Sequence, residues 1–370
     1  MAGKKTETVY RWLTEYIDGH KFSSNLKLPS ENAIRQRLHV GRETVRSALA
    51  QLEEEGLIYK KRGSGTYIKK DAALTRDLNT GDGDCKIGLM LQGQNSSANS
   101  SLIDGIVDGL KLISPQQKTD LNIFLTDNKF SNERRCLQTV ASQNFKGFII
   151  DGVKASFINP NLDCYQDIYQ KRIPVIFYNN YYKEVPYPKV IVNDSKCADL
   201  LVQLLVQAGH RRIAGIFVYD NYQSVEKFHG MVRAMRNYGV EFQDDYVKWC
   251  VSDEAFDESY ARVIHQFLRK LPHCTAIICC NYLIYRLVKK ALEQHGKKIP
   301  EDYSVVCFDY SGSDLKQENV TCSISQGYKA GLKLAENLMK MIQRKECSGA
   351  RYSCMLEPEI HLGTSIRRVY

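Results

Sequence analysis

An α/β architecture in two unequal parts is the fold class this sequence predicts, and three observations carry it. Of 51 basic and 42 acidic residues in all, 14 and 8 fall within the first 70, so most of the net charge of +9 sits on a short N-terminal stretch. That stretch reads as short amphipathic helices followed by a basic hairpin. From Cys85 onward, apolar runs of strand length alternate with helical stretches, the pattern of parallel sheets with helices on both faces. At 370 residues the chain is too long for one ordinary core and suits two or three domains.

Composition narrows the function classes. A hydrophobic content of 43% and a charged content of 25% match a soluble globular protein. No apolar run reaches the length of a membrane span, and no apolar block follows Lys4 and Lys5, so neither a bilayer segment nor a secretory leader is expected and the cytoplasm is the expected compartment. The 12 cysteines are scattered between Cys85 and Cys354 without a C-x-x-C pair, which predicts reduced, buried thiols and no zinc site. The histidines show no metal-binding spacing. Thr80-Gly81-Asp82-Gly83-Asp84 lacks the spaced oxygen ligands of a calcium loop and reads as part of a flexible linker over 71–84.

In the first 70 residues, Val9, Leu13, Tyr16 and Ile17 recur at helical spacing, predicting a helix from about Thr8 to Asp18. Leu28-Pro29-Ser30-Glu31 is a helix start, with Ser30 as cap and Glu31 at the positive end of the dipole. Ala33, Ile34 and Leu38 are the expected buried face of this second helix. After a turn at His39-Val40-Gly41, a third helix is expected from Arg42 to Glu55, closed by Gly56, with Val45, Ala48, Leu49 and Leu52 packing inward. Arg42 and Arg46 lie one turn apart on another stripe. A guanidinium can grip guanine O6 and N7, and Glu43 can accept from a cytosine amine. Two short strands around Lys60-Lys61-Arg62-Gly63-Ser64-Gly65 make a hairpin whose basic tip suits phosphates or a minor groove.

Leu28-Pro29-Ser30-Glu31, Val40-Gly41-Arg42-Glu43-Thr44-Val45-Arg46, Leu52-x3-Gly56-Leu57-Ile58 and Gly63-Ser64-Gly65-Thr66 together resemble the winged helix-turn-helix of GntR-type bacterial regulators, over residues 6–69. The resemblance implies operator contacts by Arg42, Arg46, Asn32 and the wing residue Gly63. Lys5, Glu43, Thr44, Lys61, Arg62 and Gly65 complete the candidate DNA-binding set. Gly41 departs from the usual Ser or Thr cap, a change that costs a few tenths of a kcal/mol.

In the body, strands are expected at Ile87–Leu91, Leu121–Leu125, Gly147–Ile150, Pro174–Tyr178, Val190–Val192, Arg212–Val218, Thr275–Cys279 and Ser304–Phe308. Helices are expected near 101–112, 132–143, 195–208, 223–237, 255–270 and 282–295. Their number suits two parallel sheets. Ligands of such sheets bind beyond the carboxyl ends of strands. Here those ends are polar and aromatic: Gln92, Asp127-Asn128-Lys129, Asp151, Asn179-Asn180-Tyr181-Tyr182, Asp220-Asn221-Tyr222, Asn281-Tyr282 and Asp309-Tyr310. Singly, such residues usually serve as turns or caps. As a set they suit a neutral polyhydroxylated ligand, whose hydroxyls donate and accept and whose C–H face stacks on an aromatic ring.

Val192-Asn193-Asp194, Gly209-His210-Arg211-Arg212-Ile213-Ala214-Gly215-Ile216, Phe308-Asp309 and Val320-Thr321-x4-Gln326 resemble the LacI/GalR-type ligand-binding domain, which is akin to periplasmic binding proteins. The resemblance covers roughly 85–370. It implies two Rossmann-like subdomains crossed by three strands, an effector between them, and contacts from Lys227, Asn281 and Asp309. With the strand exits, the candidate effector set is Gln92, Asn128, Lys129, Asp151, Asn179, Tyr222, Lys227, Asn281, Asp309 and Gln326. Tyr282 and Tyr310 depart from the family pattern beside the pocket. A GntR-type head on a LacI-type body is the arrangement of the arabinose-repressor type of regulator. It implies a homodimeric repressor, with residues 1–70 as head, 71–84 as linker and 85–370 as body, that leaves operator DNA when a sugar binds, L-arabinose being the first candidate. Another sugar, an oligosaccharide, a purine or an activating role are the alternatives. An enzyme is not expected: there is no G-x-x-x-x-G-K-[ST], no G-x-G-x-x-G after a strand and no G-x-S-x-G elbow. No cofactor is expected.

Overall fold

The computed structural model describes the chain except residues 1–5, 7–8, 11, 14–27, 39, 55–57, 62–64, 69–84, 94–96, 117, 253–259, 272, 312–314 and 370. Lys5, Arg62, Gly63, Gly56 and the linker over 71–84 lie outside the described residues. The head and the body form separate compact units.

In the head, Val9, Tyr10, Trp12 and Leu13 are helical, followed by α1 (Glu31–Leu38) and α2 (Arg42–Glu54). Ser30 Oγ accepts the Ala33 N–H at 3.2 Å, the side-chain cap its position called for. One core holds Val9, Leu13, Leu28, Ile34, Val45, Ala48, Leu49, Leu52 and Ile58. Ala33 is a correction to the expected buried face, because it is exposed. Helical geometry turns it about 100° from Ile34, and a stripe through Ile34 and Leu38 already suffices for so short a helix. The wing is β1 (Ile58–Lys61) paired antiparallel with β2 (Gly65–Ile68), and Tyr59 stacks on Tyr67 at 5.7 Å across the strands. Leu28 N–H donates to Thr66 O at 2.8 Å and ties the wing to the entry of α1.

Among the described residues the body holds two six-stranded sheets. The first takes β3 (Cys85–Leu91), β4 (Thr119–Leu125), β5 (Phe145–Ile150), β6 (Val175–Tyr178) and β7 (Lys189–Val192), interleaved with α3 (Ser97–Ile113), α4 (Phe130–Ser142) and α5 (Leu162–Gln170). The second takes β8 (Ile213–Val218), β9 (Val247–Cys250), β10 (Ala276–Cys279), β11 (Ser304–Tyr310) and β12 (Thr321–Ile324). Between and beside these strands lie α6 (Asp194–Gln207), α7 (Tyr222–Asn237), α8 (Ala261–Arg269), α9 (Tyr282–Glu293) and α10 (Leu315–Glu318). After β12, α11 (Gly327–Arg344) returns to the first subdomain. There β13 (Cys354–Leu356) pairs parallel with β7, and β14 (Ile360–His361) then closes on β12 antiparallel. The strand orders are β13-β7-β6-β5-β3-β4 and β14-β12-β11-β10-β8-β9. These are the two Rossmann-like subdomains, crossed three times by the chain.

The expected strands all form, within a residue or two at their ends. Strands β9, β12, β13 and β14 and helices α5, α10 and α11 form in addition to the expected elements. Strands β13 and β14 are only three and two residues long and have no local pattern of their own; a sheet edge orders them. Helix α11 carries Gly331, a poor helix former. A Cβ there would stand 2.4 Å from Leu102 O, and one on Gly105 would stand 2.2 Å from Tyr328 O, so the glycines let α11 and α3 cross backbone to backbone.

The three crossings lie together and form a hinge. Asn193 N–H donates to Leu356 O at 2.9 Å, and Ile324 N–H to Glu359 O at 2.8 Å. Lys196 pairs with Glu357, and Lys329 with Glu359. The Gly-His-Arg-Arg-Ile block serves the fold at the opposite end. Gly209 adopts φ +96°, and a Cβ there would lie 2.0 Å from Val369 O, where the C-terminal segment bonds back through Val369 N–H to Ala208 O at 2.8 Å. Buried His210 meets Thr275 Oγ1 at 2.8 Å and Arg367 O at 3.1 Å, and burial lowers its pKa.

Candidate nucleic-acid interface and ligand cleft

On α2 the apolar stripe faces the head core, and Arg42 and Arg46 are exposed on another side. Arg42 is the first residue of the helix, where the dipole disfavours a cation. Local carboxylates offset this: Glu31 Oε2 lies 3.5 Å from Arg42 Nε and 3.3 Å from Arg46 Nε, and Glu43 Oε1 lies 4.0 Å from Arg46 Nη1. Glu31 thus gathers two forks of donors one turn apart, at the end of the helix that suits a polyanion. Its organising role was not legible from spacing, since it comes from the preceding helix. Glu43 is exposed and Thr44 half-buried. Asn32 is exposed on α1 and accepts from Arg35 Nη1 at 3.2 Å, which brings in Arg35, a residue the sequence reading did not select. Lys61 and Gly65 (φ +126°) stand at the two strand ends flanking the wing tip. Lys60 is held by Glu53 at 2.5 Å.

In the body, the carboxyl ends of the strands face one another across the hinge. Lys227 of α7, only 2% exposed, donates to Cys280 O at 3.1 Å and to Asp309 Oδ2, and stands 4.0 Å from Asp194 Oδ1. Burial works against its charge, but Asp309 and Asp194 outweigh burial and raise its pKa. Asp309 is the ion-pair partner, being the closer. It sits at a register shift in β11 with φ +49°, a costly backbone held in place by its N–H bond to Ser323 Oγ at 2.8 Å. Burial also pushes the Asp194 carboxyl up, against the pull of Lys227.

From the first subdomain come Asp151, Tyr178, Asn179 and Asn180. Asn180 Nδ2 donates to Asp151 at 2.8 Å, and its Oδ1 accepts the Gln223 N–H at 3.2 Å across the cleft. Burial raises the Tyr178 hydroxyl, and so do Asp309, Asp151 and Asp194, which places residues of both subdomains in one polar region. Within it Asn179 Oδ1, Asp194 Oδ1 and Gln223 Nε2 are buried without a well-formed hydrogen bond, although Gln223 stands near enough to Asp194 to pull its carboxyl down against burial. Two acceptors and a donor left unsatisfied in a buried place are costly unless something pairs with them, and ligand hydroxyls do both.

The structure therefore brings Asp151, Asn179, Lys227 and Asp309 together and adds Tyr178, Asp194 and Gln223. Most of the other candidates make side-chain contacts of their own. Gln92 Nε2 donates to Gly152 O. Asn128 bonds Asp220 and the Lys154 N–H. Lys129 is exposed ahead of α4. The Tyr222 hydroxyl meets that of Tyr181 at 3.1 Å, with the rings edge to face. Asn281 caps α9, accepting the Ile284 N–H at 2.9 Å, so the local capping rule claims its oxygen. Gln326 precedes α11 at the hinge, beside Glu359. Among the described residues no group of three histidines, cysteines or carboxylates could hold a metal ion, and no helix there is long and apolar enough to cross a membrane.

One titration follows from this geometry. Burial pushes the Asp151 carboxyl up to about 7, against the Asn180 hydrogen bond. A raised carboxyl favours the folded state fully below its unfolded pKa of about 4 and loses that contribution as pH rises to about 7. Asp151→Asn is therefore expected to flatten the fall in unfolding free energy between pH 4 and 7, read by urea denaturation at several pH values. An unchanged slope would mean that Asp151 does not titrate there.

Comparison with known proteins bears on both sites. Residues 5–68 match the family model of bacterial regulatory proteins of the gntR family, and residues 202–366 match that of the periplasmic binding protein-like domain. The arabinose metabolism transcriptional repressor of Geobacillus stearothermophilus is 29% identical over 337 residues, covering 90% of each chain. The protein so named in Halalkalibacterium halodurans is 25% identical over 363 residues, covering 96% of this chain and 95% of its own. Among solved structures, the transcription regulator CcpA of Lactococcus lactis aligns with a TM-score of 0.64 at 17% identity, over 76% of this chain and 99% of its own. A LacI family regulator from Enterococcus faecium with bound ribose aligns with a TM-score of 0.64 at 19% identity, over 77% and 100%. At such identity the structural likeness establishes the fold. These relatives are transcription regulators, in keeping with a chain that is not an enzyme.

Proposed function

Because the chain joins a GntR-family regulatory head to a periplasmic-binding-protein-like body, we propose that it is a transcriptional repressor. In this reading it grips a palindromic operator as a homodimer and releases it when a free sugar, L-arabinose in the first instance, enters the cleft. Residues 1–70 form the head, 71–84 the linker and 85–370 the effector-binding and dimerising body, and the protein works in the cytoplasm, where its DNA is. The carrying observation is the pair of buried Lys227 and partly buried Asp309 beside Asp194, with atoms of Asn179, Asp194 and Gln223 around it that lack a well-formed hydrogen bond. That arrangement suits hydroxyls better than a phosphate, because carboxylates outnumber its one ammonium. Arg42, Arg46, Glu43 and Thr44 face the bases, with Asn32, Lys61 and Gly65 flanking them and Lys5, Arg62 and Gly63 supplied from the segments beside them. Asp151, Asn179, Lys227 and Asp309 hold the sugar, and Gln92, Lys129, Tyr222, Asn281 and Gln326 border it.

Mechanistically, the sugar needs only to bind one arrangement of the subdomains better than the other. A differential of about 1–3 kcal/mol shifts operator affinity roughly 5–150-fold. The test is fluorescence anisotropy of DNA from upstream of the gene, titrated with protein at fixed salt, with and without L-arabinose and a panel of other sugars and purines. Tight binding released by L-arabinose is the expected result. Release by another sugar or a purine would replace the effector, and indifference to the whole panel would overturn the cleft as a sugar site.

A further inference from the structure

We propose that Asn128 and Asp220 are the closing contact of the cleft mouth, positioning residues that hold the two subdomains together over a ligand they do not touch. The inference rests on the cleft being the effector site. The strand orders locate the pair. The hinge crossings leave from β7, β12 and β13, at one edge of each sheet, whereas β4 and β9 form the opposite edges. Asn128 follows β4. Asp220 follows β8 and is tied to Ser252, just beyond β9, whose N–H and Oγ donate to Asp220 Oδ1 at 2.9 and 2.8 Å. A hinge rotation moves the far edge most, so a contact there gains most from closure.

The bonding of Asn128 leaves it little for a ligand. Its own N–H donates to Gln92 O at 2.9 Å, and its Oδ1 accepts the Lys154 N–H at 3.0 Å. That acceptance fixes the amide so that Nδ2 points at Asp220 Oδ2, 3.3 Å away in the other subdomain. Both side chains are buried, at 6% and 3% exposure, so the contact is shielded from water. Its support is rigid. The loop that carries Lys154 is pinned by Glu133, fully buried, which accepts from Asn159 and Asn161 at 2.8 Å each. The same loop reaches the second subdomain again through Ser156 Oγ on Tyr219 O and the Phe157 ring against the Tyr219 ring at 5.9 Å. Asn128 and Asp220 thus set how long the cleft stays shut, whereas Lys227, Asp309 and Asn179 set what it holds.

An exchange of the pair tests this. Asn128→Asp puts two carboxylates face to face and is expected to raise the effector dissociation rate about 10-fold or more. It leaves the affinity ratios among sugars unchanged. Adding Asp220→Asn recreates the bonding with roles reversed: a carboxylate accepts from Lys154 and from the new amide, whose oxygen accepts from Ser252. The double variant is expected to return to within about 3-fold of the parent. Hydrogen exchange on the ligand-free full-length protein is the second readout, because the Lys154 and Ser252 amides donate into the latch. Both should exchange faster in Asn128→Asp and at parental rates in the double variant. Unchanged dissociation and exchange in the single variant, failure of the exchange to rescue, or altered sugar ratios would each overturn the proposal. If the parent protein binds no sugar, the cleft reading fails on its own, and the amide rates alone decide whether the latch exists.

Discussion

Lys227→Met is expected to destabilise the body by about 3–5 kcal/mol, the cost of leaving a largely buried carboxylate pair without its cation. Lys227 is 2% exposed, bonds Asp309, and lies 4.0 Å from Asp194. Taking away the ammonium strands one carboxylate and leaves a second beside it. Methionine fills most of the space, so the loss is electrostatic and not a cavity effect. Urea unfolding of the full-length protein measures it, and the double variant Lys227→Met with Asp309→Asn is expected to recover much of the loss, since a neutral pair needs no counter-ion. A single-variant loss below about 1 kcal/mol would mean that water reaches the site and screens it. In the same variant, sugar response should vanish because the group that orients Asp309 is gone.

Arg46→Ala is expected to weaken operator binding by about 1–3 kcal/mol, roughly 5–150-fold, if its fork reads a base edge. Non-specific DNA should be bound almost as before. Arg46 is exposed one turn into α2, held by Glu31 at 3.3 Å, and contributes nothing to the head core. The contrast is Lys61→Ala at the wing. A phosphate contact there should weaken all DNA alike and lower the salt slope by about 1. Anisotropy titrations on operator and scrambled duplexes at several salt concentrations separate the two roles. Equal loss on both duplexes would move Arg46 from base readout to backbone contact.

The two sites differed in how far they could be read in advance. Arg42 and Arg46 were legible because an α-helix places residues four apart on one side, and the apolar residues Val45, Leu49 and Leu52 had already claimed the other. Lys227 entered through family resemblance and Asp309 also as a strand exit, and 82 residues separate them in the chain. Tyr178 and Gln223 showed no signal beyond being polar or aromatic near a strand end or helix start. Asn281 answers to a second demand. Its place after a strand suggested a pocket residue, while the N-cap of α9 claimed its oxygen.

The sequence by itself determined the order of the parts: a basic three-helix head with a hairpin, then alternating strands and helices with polar exits. Helical and strand periodicity, caps and turns depend on neighbours a few residues away, so they are written locally. Only the tertiary structure decided which polar exits converge, which glycines let α3 and α11 touch, and that Asn128 meets Asp220. Those outcomes depend on three hinge crossings that bring remote strand ends together. Burial then assigns each carboxylate its partner, and no local pattern carries that information.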